Sequence, residues 1–218
     1  MSLFYLKPII LMDELRNCLK NSIPEIYEAA KLLDAAIDAH LYGDIYSVEN
    51  LIKKADITEI RKWTESIWGV GGIYSEMKKN IGEPKTIPIE LRDTLRMPNK
   101  QLELELLNRD GYNCRFCGIP VIRKEIRVYL NKLYPSALQW GKTNIEQHSA
   151  FQAMWVQYDH LIPHARGGKT TLDNMIITCA PCNYGRMNFT IEEIDIFLPN
   201  ISNSFKWDGL EDTIPKSV

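Results

Sequence analysis

The sequence has no long apolar run, no internal repeat and few cysteines. No apolar stretch reaches the roughly 20 residues that a transmembrane helix needs, so we expect no membrane span. The segment MSLFYLKPIILMDEL is apolar but contains Lys7 and Pro8, and it lacks the basic start and small-residue cleavage site of a signal peptide. We therefore expect a cytoplasmic location, where thiols stay reduced.

A strong charge of either sign is also absent. The 218 residues include 26 basic and 28 acidic side chains, for a net charge of -2. The charges are unevenly divided, however. Residues 100–190 contain 11 Lys and Arg against 7 Asp and Glu, which is +4, and the remainder of the chain is therefore at -6. A mildly basic segment suits contact with a polyanion such as DNA.

The cysteines fall into a pattern typical of metal ligands. Four of the five form two Cys-x-x-Cys pairs, Cys114 with Cys117 and Cys179 with Cys182. Two such pairs supply the four thiolates of a tetrahedral structural zinc site. In a reducing compartment this arrangement favours Zn²⁺ over disulfides. Cys18, which has no such neighbour, is expected to be a buried small apolar residue.

The first 72 residues predict a mostly helical domain. Apolar residues recur there at spacings of three and four, which gives a helix one apolar stripe. The stripe consists of Ile26, Ala30, Leu33, Ile37 and Leu41. Ser22 and Asp56 each begin a capping-box pattern that favours a helix start, and Gly43 is the expected stop of the first helix.

The composition changes after Gly72. Residues 73–98 contain three prolines and scattered charge, so we expect an irregular linker with a short helix around 90–96. Asn99 is expected to cap the next helix. The resulting division is a helical N-terminal domain at 1–72, a linker at 73–98, a second domain at 99–190 and a C-terminal tail at 191–218.

The most informative pattern runs from residue 158 to residue 188. An Asp159-His160 pair is followed by a Gly-Gly turn, by Asn174, and by the second cysteine pair with Asn183 directly after it. The flanking apolar residues predict a short strand around 157–160, a second one around 172–178 and a helix from 180 to 187. The predicted fold class is therefore α+β.

Two Cys-x-x-Cys pairs around D-H-x-x-P-x-x-x-G-G, a lone Asn and a final Asn resemble the HNH endonuclease family, in its zinc-bearing branch with a ββα-metal fold. The resemblance covers about 108–188. It implies that His160 is the general base, that Asp159 and Asn183 bind a catalytic metal ion, and that Asn174 steadies the loop that carries the base. Many family members have His where this chain has Asn183, and Asn is a weaker, neutral ligand.

These residue types suit phosphodiester hydrolysis. A neutral imidazole can take the proton of an attacking water molecule. Mg²⁺ or Mn²⁺ prefers oxygen ligands, which Asp159 and Asn183 supply, and such an ion can stabilise the charge that develops on the leaving oxygen. Because neighbouring side chains on a strand point to opposite faces, a bend near His160 must bring the pair to one phosphate.

Other polar residues are candidates for contact with the DNA backbone, with a solvated surface as the alternative. They are His164, Arg166, Lys169, Arg186 and Arg109. About forty residues separate Cys117 from Asp159, which is more than compact family members have. This helical insertion, residues 119–156, is expected to contain helices at 123–133 and 145–156, and either shapes substrate choice or only thickens the core.

The sequence thus predicts a metal-dependent HNH endonuclease that acts on DNA in restriction, phage defence or a mobile element. One alternative is a zinc-stapled module that binds nucleic acid without catalysis. Another is a nuclease that its acidic helical half keeps inactive until a partner releases it. The N-terminal helices are candidates for docking a protein partner or a second copy of the chain.

Overall fold

The computed structural model describes residues 16–200 and 205–214. The apolar segment at residues 1–15, in which the sequence indicates no signal peptide, lies outside these ranges. The described residues of the N-terminal part form four helices: α1 (Pro24–Leu41), α2 (Ile45–Ala55), α3 (Thr58–Trp68) and α4 (Ile73–Ile81). Within the described residues, no helix is both long enough and apolar enough to cross a membrane.

Helices α1 and α2 pack against each other through the predicted apolar stripe. Ile26, Ala30, Leu33 and Ile37 are buried, whereas Leu41, at the end of the predicted stripe, is exposed. Gly43 takes a positive φ of 78° directly after α1, which is the left-handed conformation expected of a helix stop. Burial of one continuous face explains why the periodicity located this helix correctly.

Neither predicted capping box caps a helix. Ser22 instead hydrogen-bonds the hydroxyl of Tyr27, and α1 has no side-chain cap. Asp56 accepts a hydrogen bond from the backbone N–H of Ser149 at 2.7 Å and pairs with Arg61 at 3.4 Å. The Asp56 carboxylate therefore ties the N-terminal helices to the insertion, and tertiary contacts override the local motif.

The segment predicted as a linker contains more structure than expected. Helix α4 fills residues 73–81, where the sequence predicts an irregular connection, and the expected helix around 90–96 is only a 3₁₀ turn at Ile89–Leu91. Beyond it, α5 (Lys100–Asp110) begins as predicted, because the Asn99 side chain accepts from the N–H of Leu102 at 2.9 Å.

The insertion supplies α6 (Lys124–Leu133) and α7 (Ser149–Ala153). The first matches the predicted helix closely. The second is much shorter than the predicted 145–156, since a 3₁₀ turn occupies Asn144–Glu146 and a strand begins at Val156.

Two strands and a helix complete the expected ββα unit. Strand β1 (Val156–His160) pairs antiparallel with β2 (Met175–Cys179), so that Asp159 lies opposite Ile176, and α8 (Ala180–Arg186) follows β2 without a gap. Every residue of β2 is buried, which explains its unbroken apolar character. The fold is α+β, as predicted.

The N-terminal helices pack directly on the ββα unit. A Cβ atom at Gly185 of α8 would lie 2.4 Å from Ile67 of α3 and 2.7 Å from Leu19, so a side chain at position 185 would force these neighbours to move. One hydrophobic core contains residues from both sides of the expected linker. The domain limits drawn from the sequence remain predictions.

Candidate functional site

The four paired cysteines meet at one point in the fold. Their sulfur atoms all lie within 4.8 Å of one another, and the Sγ atoms of Cys117 and Cys179 are 3.6 Å apart. A tetrahedral zinc site with bonds of about 2.3 Å places its sulfur atoms about 3.8 Å apart. The cluster therefore fits one tetrahedrally bound metal ion.

Two tight turns shape this cluster. In the first, the backbone N–H of Gly118 donates to the carbonyl oxygen of Cys114 at 2.9 Å, and Gly118 takes a φ of 75° that favours glycine. In the second, Cys179 ends β2 and Cys182 lies in the first turn of α8. Strand end and helix start thus fix the second pair, while a hydrogen-bonded turn fixes the first.

Asp110 joins the first turn to the sheet. Its buried carboxylate accepts from Arg109, from Arg115 at 2.7 Å and from the backbone N–H of Ile177 at 3.0 Å. Burial opposes ionisation, but these hydrogen bonds hold the pKa of Asp110 below its ordinary value. Arg109 also donates to two backbone carbonyls of the loop and sheet. These bonds give Arg109 a structural role and do not support its expected contact with DNA.

His160 is held in one tautomer at the end of β1. Its Nε2 lies 3.0 Å from Thr170 Oγ1, and the Thr170 hydroxyl also bonds the carbonyl oxygen of Leu95. A hydroxyl has one proton, which here goes to the carbonyl, so Thr170 must accept a hydrogen bond from His160. The ring proton therefore lies on Nε2, and Nδ1 has the free lone pair of a base.

The surroundings of His160 also keep it neutral. The side chain is 7% exposed. Burial, followed by the positive fields of His164 and Arg186, lowers the pKa of His160 to about 4. The imidazole is therefore unprotonated at neutral pH, which is the form a general base requires.

Asn174 fixes the loop between the strands. Its Oδ1 accepts from the N–H of Ile162 at 2.9 Å, and its Nδ2 donates to the carbonyl oxygens of Ile162 and Lys169. A Cβ atom at Gly168 would lie 1.7 Å from the Ile162 carbonyl oxygen, so the loop can close only around glycine. Asn174 thus occupies the loop-steadying place that the family resemblance gives it.

Asp159 forms a buried ion pair with Arg186. Its carboxylate oxygens accept from Nη2 of Arg186 at 2.6 Å and from Nε at 3.2 Å. Burial raises the pKa of Asp159, and the guanidinium opposes that shift. Because both carboxylate oxygens face the arginine, Asp159 is paired with Arg186 rather than free in this structure.

Arg186 itself is placed inside the protein. It is 1% exposed. Its remaining N–H groups donate to the carbonyl oxygens of His160, Leu161 and Phe189, so all five guanidinium donors are used. The predicted contact between Arg186 and a phosphate therefore finds no free donor, and the residue holds the strand end and α8 together.

Asn183 lies on the same side of β1 as Asp159. Its Nδ2 donates to Oε1 of Gln157 at 3.3 Å, and side chains two residues apart on a strand share a face. The amide oxygen and the carboxylate form the kind of oxygen donor set that Mg²⁺ or Mn²⁺ prefers. The chemistry of the pair fits a hard cation, although Arg186 competes for the carboxylate.

The other expected DNA contacts lie around the loop. His164 Nε2 is 2.8 Å from the carbonyl oxygen of Asp93. Arg166 forms an ion pair with Glu193, and Lys169 is exposed at the Gly-Gly turn. Of these three, Lys169 is the residue most accessible to a phosphate.

Sequence reasoning missed the segment that lies against this loop. Asp93 accepts from the backbone N–H of Thr170 at 3.2 Å, and Ile87 donates from its N–H to the carbonyl oxygen of Ala165 at 2.9 Å. Together with Leu95, these contacts place the expected linker beside the general-base candidate. The sequence offered no signal for them, because they join residues more than 70 positions apart.

Comparison with known proteins agrees with this geometry. Residues 147–188 match the family model for the HNH endonuclease. The matched range contains both strands, the loop, the second cysteine pair and α8. No curated protein and no solved structure matches the chain. The chain therefore contains an HNH endonuclease domain, and its four-cysteine cluster is a candidate metal site.

Proposed function

We propose that this HNH-domain chain is a metal-dependent endonuclease that hydrolyses phosphodiester bonds of DNA. The observation that carries the proposal is the state of His160. A neutral imidazole with its proton fixed on Nε2 by Thr170 leaves Nδ1 ready to accept a proton. Asp159 and Asn183 provide oxygen donors on one face of the adjoining strand.

Two metal ions with different chemistry are part of this proposal. The sulfur cluster would hold a structural Zn²⁺, since four thiolates saturate its tetrahedral shell. Asp159 and Asn183 would hold Mg²⁺ or Mn²⁺, which would supply charge stabilisation at the phosphate and the leaving oxygen when bound. Asn183 is neutral and Asp159 is shared with Arg186, so we expect weak affinity at the second site.

The residues of the chain then have separate roles. His160 Nδ1 takes a proton from water as the water oxygen forms its bond to phosphorus and the bond from phosphorus to the 3′ oxygen breaks. The leaving 3′ oxygen takes a proton from a solvent water molecule, and His160 then releases its proton to solvent. The resulting ends are a 5′ phosphate and a 3′ hydroxyl, as the family resemblance implies. Asn174 holds the loop, and Lys169 is the leading candidate for a contact with the DNA backbone.

The decisive assay is plasmid cleavage with Mg²⁺ or Mn²⁺. Loss of a general base commonly costs about 100-fold to 10,000-fold in rate, so His160→Ala should nearly abolish cutting. His40→Ala is the matched control, because His40 bonds Tyr134 in the helical part instead of the loop. Equal cleavage by wild type and His160→Ala would contradict the proposal.

A second candidate function is a nucleic-acid-binding module without catalysis. The ion pair between Asp159 and Arg186 favours it, because a carboxylate held by a buried guanidinium is a poor metal ligand. Retarded migration of DNA with no cleavage under any divalent cation would support this alternative. The biological setting, whether restriction, phage defence or a mobile element, remains a prediction, as does a protein partner or homodimer.

Truncation is not a suitable test of whether the N-terminal helices inhibit the proposed nuclease activity. Helix α3 packs closely on α8 through Gly185, so residues 99–190 alone would expose apolar core. Charge reversal on the exposed side of the N-terminal helices of the full chain, with cleavage as the readout, examines the same question without removing the core.

A further inference from the structure

A cleft with a volume of about 410 Å³ lies where three parts of the chain meet. Helices α3 and α4 form one side, the insertion forms a second, and α8 forms the third. Small-molecule sites commonly have volumes of about 300–1,000 Å³, so the cleft has room for one planar ligand. It lies beside the candidate catalytic site, because Tyr184 in its wall directly follows Asn183.

Aromatic rings make up much of the wall. Trp68, Tyr74, Trp155 and Tyr184 line the cleft. The rings of Trp68 and Tyr184 meet edge to face, with centroids 5.3 Å apart and planes at 76°. Tyr184 is 38% exposed, so part of its ring remains accessible to a ligand that stacks.

Two polar atoms in the wall have no partner within the described residues. Gln152 is 2% exposed, and its Oε1 accepts no hydrogen bond, although its Nε2 donates to Gln147 at 3.1 Å. The indole N–H of Trp68 is likewise buried without an acceptor. Buried unpaired polar groups are costly and uncommon. Both atoms are fully buried, so they lie beneath the wall of the cleft and do not face a ligand in it.

The charge of the wall limits the ligand further. Among the described residues that line the cleft, none carries a charge; the polar ones are Asn144, Gln147 and Gln152 with the aromatic groups. A phosphate would find no cation there. A flat, neutral group that stacks on aromatic rings matches this lining.

We propose that this cleft binds a single nucleobase of the substrate, taken out of the duplex stack or presented in a single strand. The proposal rests on the proposed function as a DNA endonuclease. Stacking on Tyr184 would supply the affinity. The insertion and the N-terminal helices then help to position the substrate by holding one base near the cleaved bond.

The test uses the full chain without added divalent cation, and a short single strand that contains one 2-aminopurine. Stacking in the cleft should quench the fluorescence of this base. Tyr184→Ala should weaken binding about 10-fold, because stacking on one aromatic ring is commonly worth that much. Tyr184→Phe keeps the ring and should bind as wild type does. Tyr46→Ala, at an 82% exposed tyrosine on α2, is the matched control.

Tyr184→Ala is the deciding variant, and it should fold because its side chain lies at the surface. Equal quenching and affinity in wild type and Tyr184→Ala would overturn the proposal.

Plasmid cleavage separates this inference from the proposed function. Quenching that depends on Tyr184, together with no cleavage by wild type, would support base binding in the cleft and contradict the nuclease proposal. Cleavage that depends on His160, together with no quenching, would support the nuclease proposal and contradict base binding in the cleft. A strand that is abasic at the test position should bind like Tyr184→Ala, and equal binding to the intact strand would count against a base-binding cleft.

Discussion

The two candidate metal sites differ in how ready they are for an ion. In the sulfur cluster, four cysteines already face one point, with all four sulfur atoms within 4.8 Å of one another. At the oxygen site, Asp159 is bonded to Arg186 and Asn183 to Gln157. The sulfur cluster needs only an ion, whereas an ion at the oxygen site must compete with Arg186 for the Asp159 carboxylate. A structural ion and a catalytic ion therefore place different demands on the same small unit.

The largest expected effect comes from breaking the sulfur cluster. Structural zinc contributes roughly 10–16 kcal/mol of apparent binding free energy to small metal-stapled folds, so Cys179→Ser should lose both the metal and the native fold of the ββα unit. Metal analysis and circular dichroism measure the two losses. Cys18→Ser, at a buried cysteine outside the cluster, should keep its metal. Retention of bound zinc by Cys179→Ser would contradict the assignment.

Breaking the ion pair at the oxygen site should have the next largest effect. Arg186→Leu leaves the Asp159 carboxylate buried and unpaired, which commonly costs about 3–5 kcal/mol. Urea unfolding measures the loss. The double variant with Asp159→Leu should recover much of this stability, because it removes the uncompensated charge. A double variant less stable than Arg186→Leu alone would show that the pair is not the cause.

Thr170 tests the orientation of the general base. Thr170→Val removes the acceptor that holds His160 Nε2–H and should lower kcat by about 10-fold to 100-fold, the usual cost of losing an orienting bond to a functional histidine. KM should change little. Thr170→Ser keeps the hydroxyl and should restore kcat, and imidazole ¹⁵N shifts should report the Nε2–H tautomer. Equal loss in both variants would point to a packing role instead.

Asn183→Asp should raise the affinity of the oxygen site for its metal ion. A second carboxylate raises the negative charge of the oxygen donor set, and affinity for hard cations rises with that charge. We expect Mn²⁺ to bind about 10-fold more tightly, as measured by calorimetry. Asn188→Asp is a comparison for added charge nearby. Tighter binding in both variants would indicate a general field effect rather than ligation by residue 183.

The smallest effect is expected away from both sites, at His148. Its Nε2 bonds the Ile52 carbonyl oxygen at 2.8 Å, and burial lowers the pKa of His148 below its ordinary value of 6.5. The unfolded chain therefore takes up the proton first, and stability present above pH 6.5 is lost as the pH falls below it. Urea unfolding should show a loss of about 1 kcal/mol per unit of pH. His148→Leu should flatten this slope; an unchanged slope would assign it to other groups, such as His160.

Local pattern located most of the secondary structure. The stripe from Ile26 to Ile37 and the cap at Asn99 were read correctly, because both depend on residues within one helix. Helix α4 was missed since the glycines and prolines around it suggested a break. The local pattern predicts Asp56 as a helix cap, but its carboxylate bonds Ser149, which is 93 residues away.

Ligand spacing and strand periodicity are properties of short segments, so the sequence alone predicts the sulfur cluster and the ββα unit. Packing in three dimensions is what pairs Arg186 with Asp159, lets Thr170 and Leu95 set the tautomer of His160, and brings an uncharged aromatic cleft next to Asn183. Those outcomes depend on packing between distant segments. Burial sets which donors and acceptors find partners, and no local spacing encodes that choice.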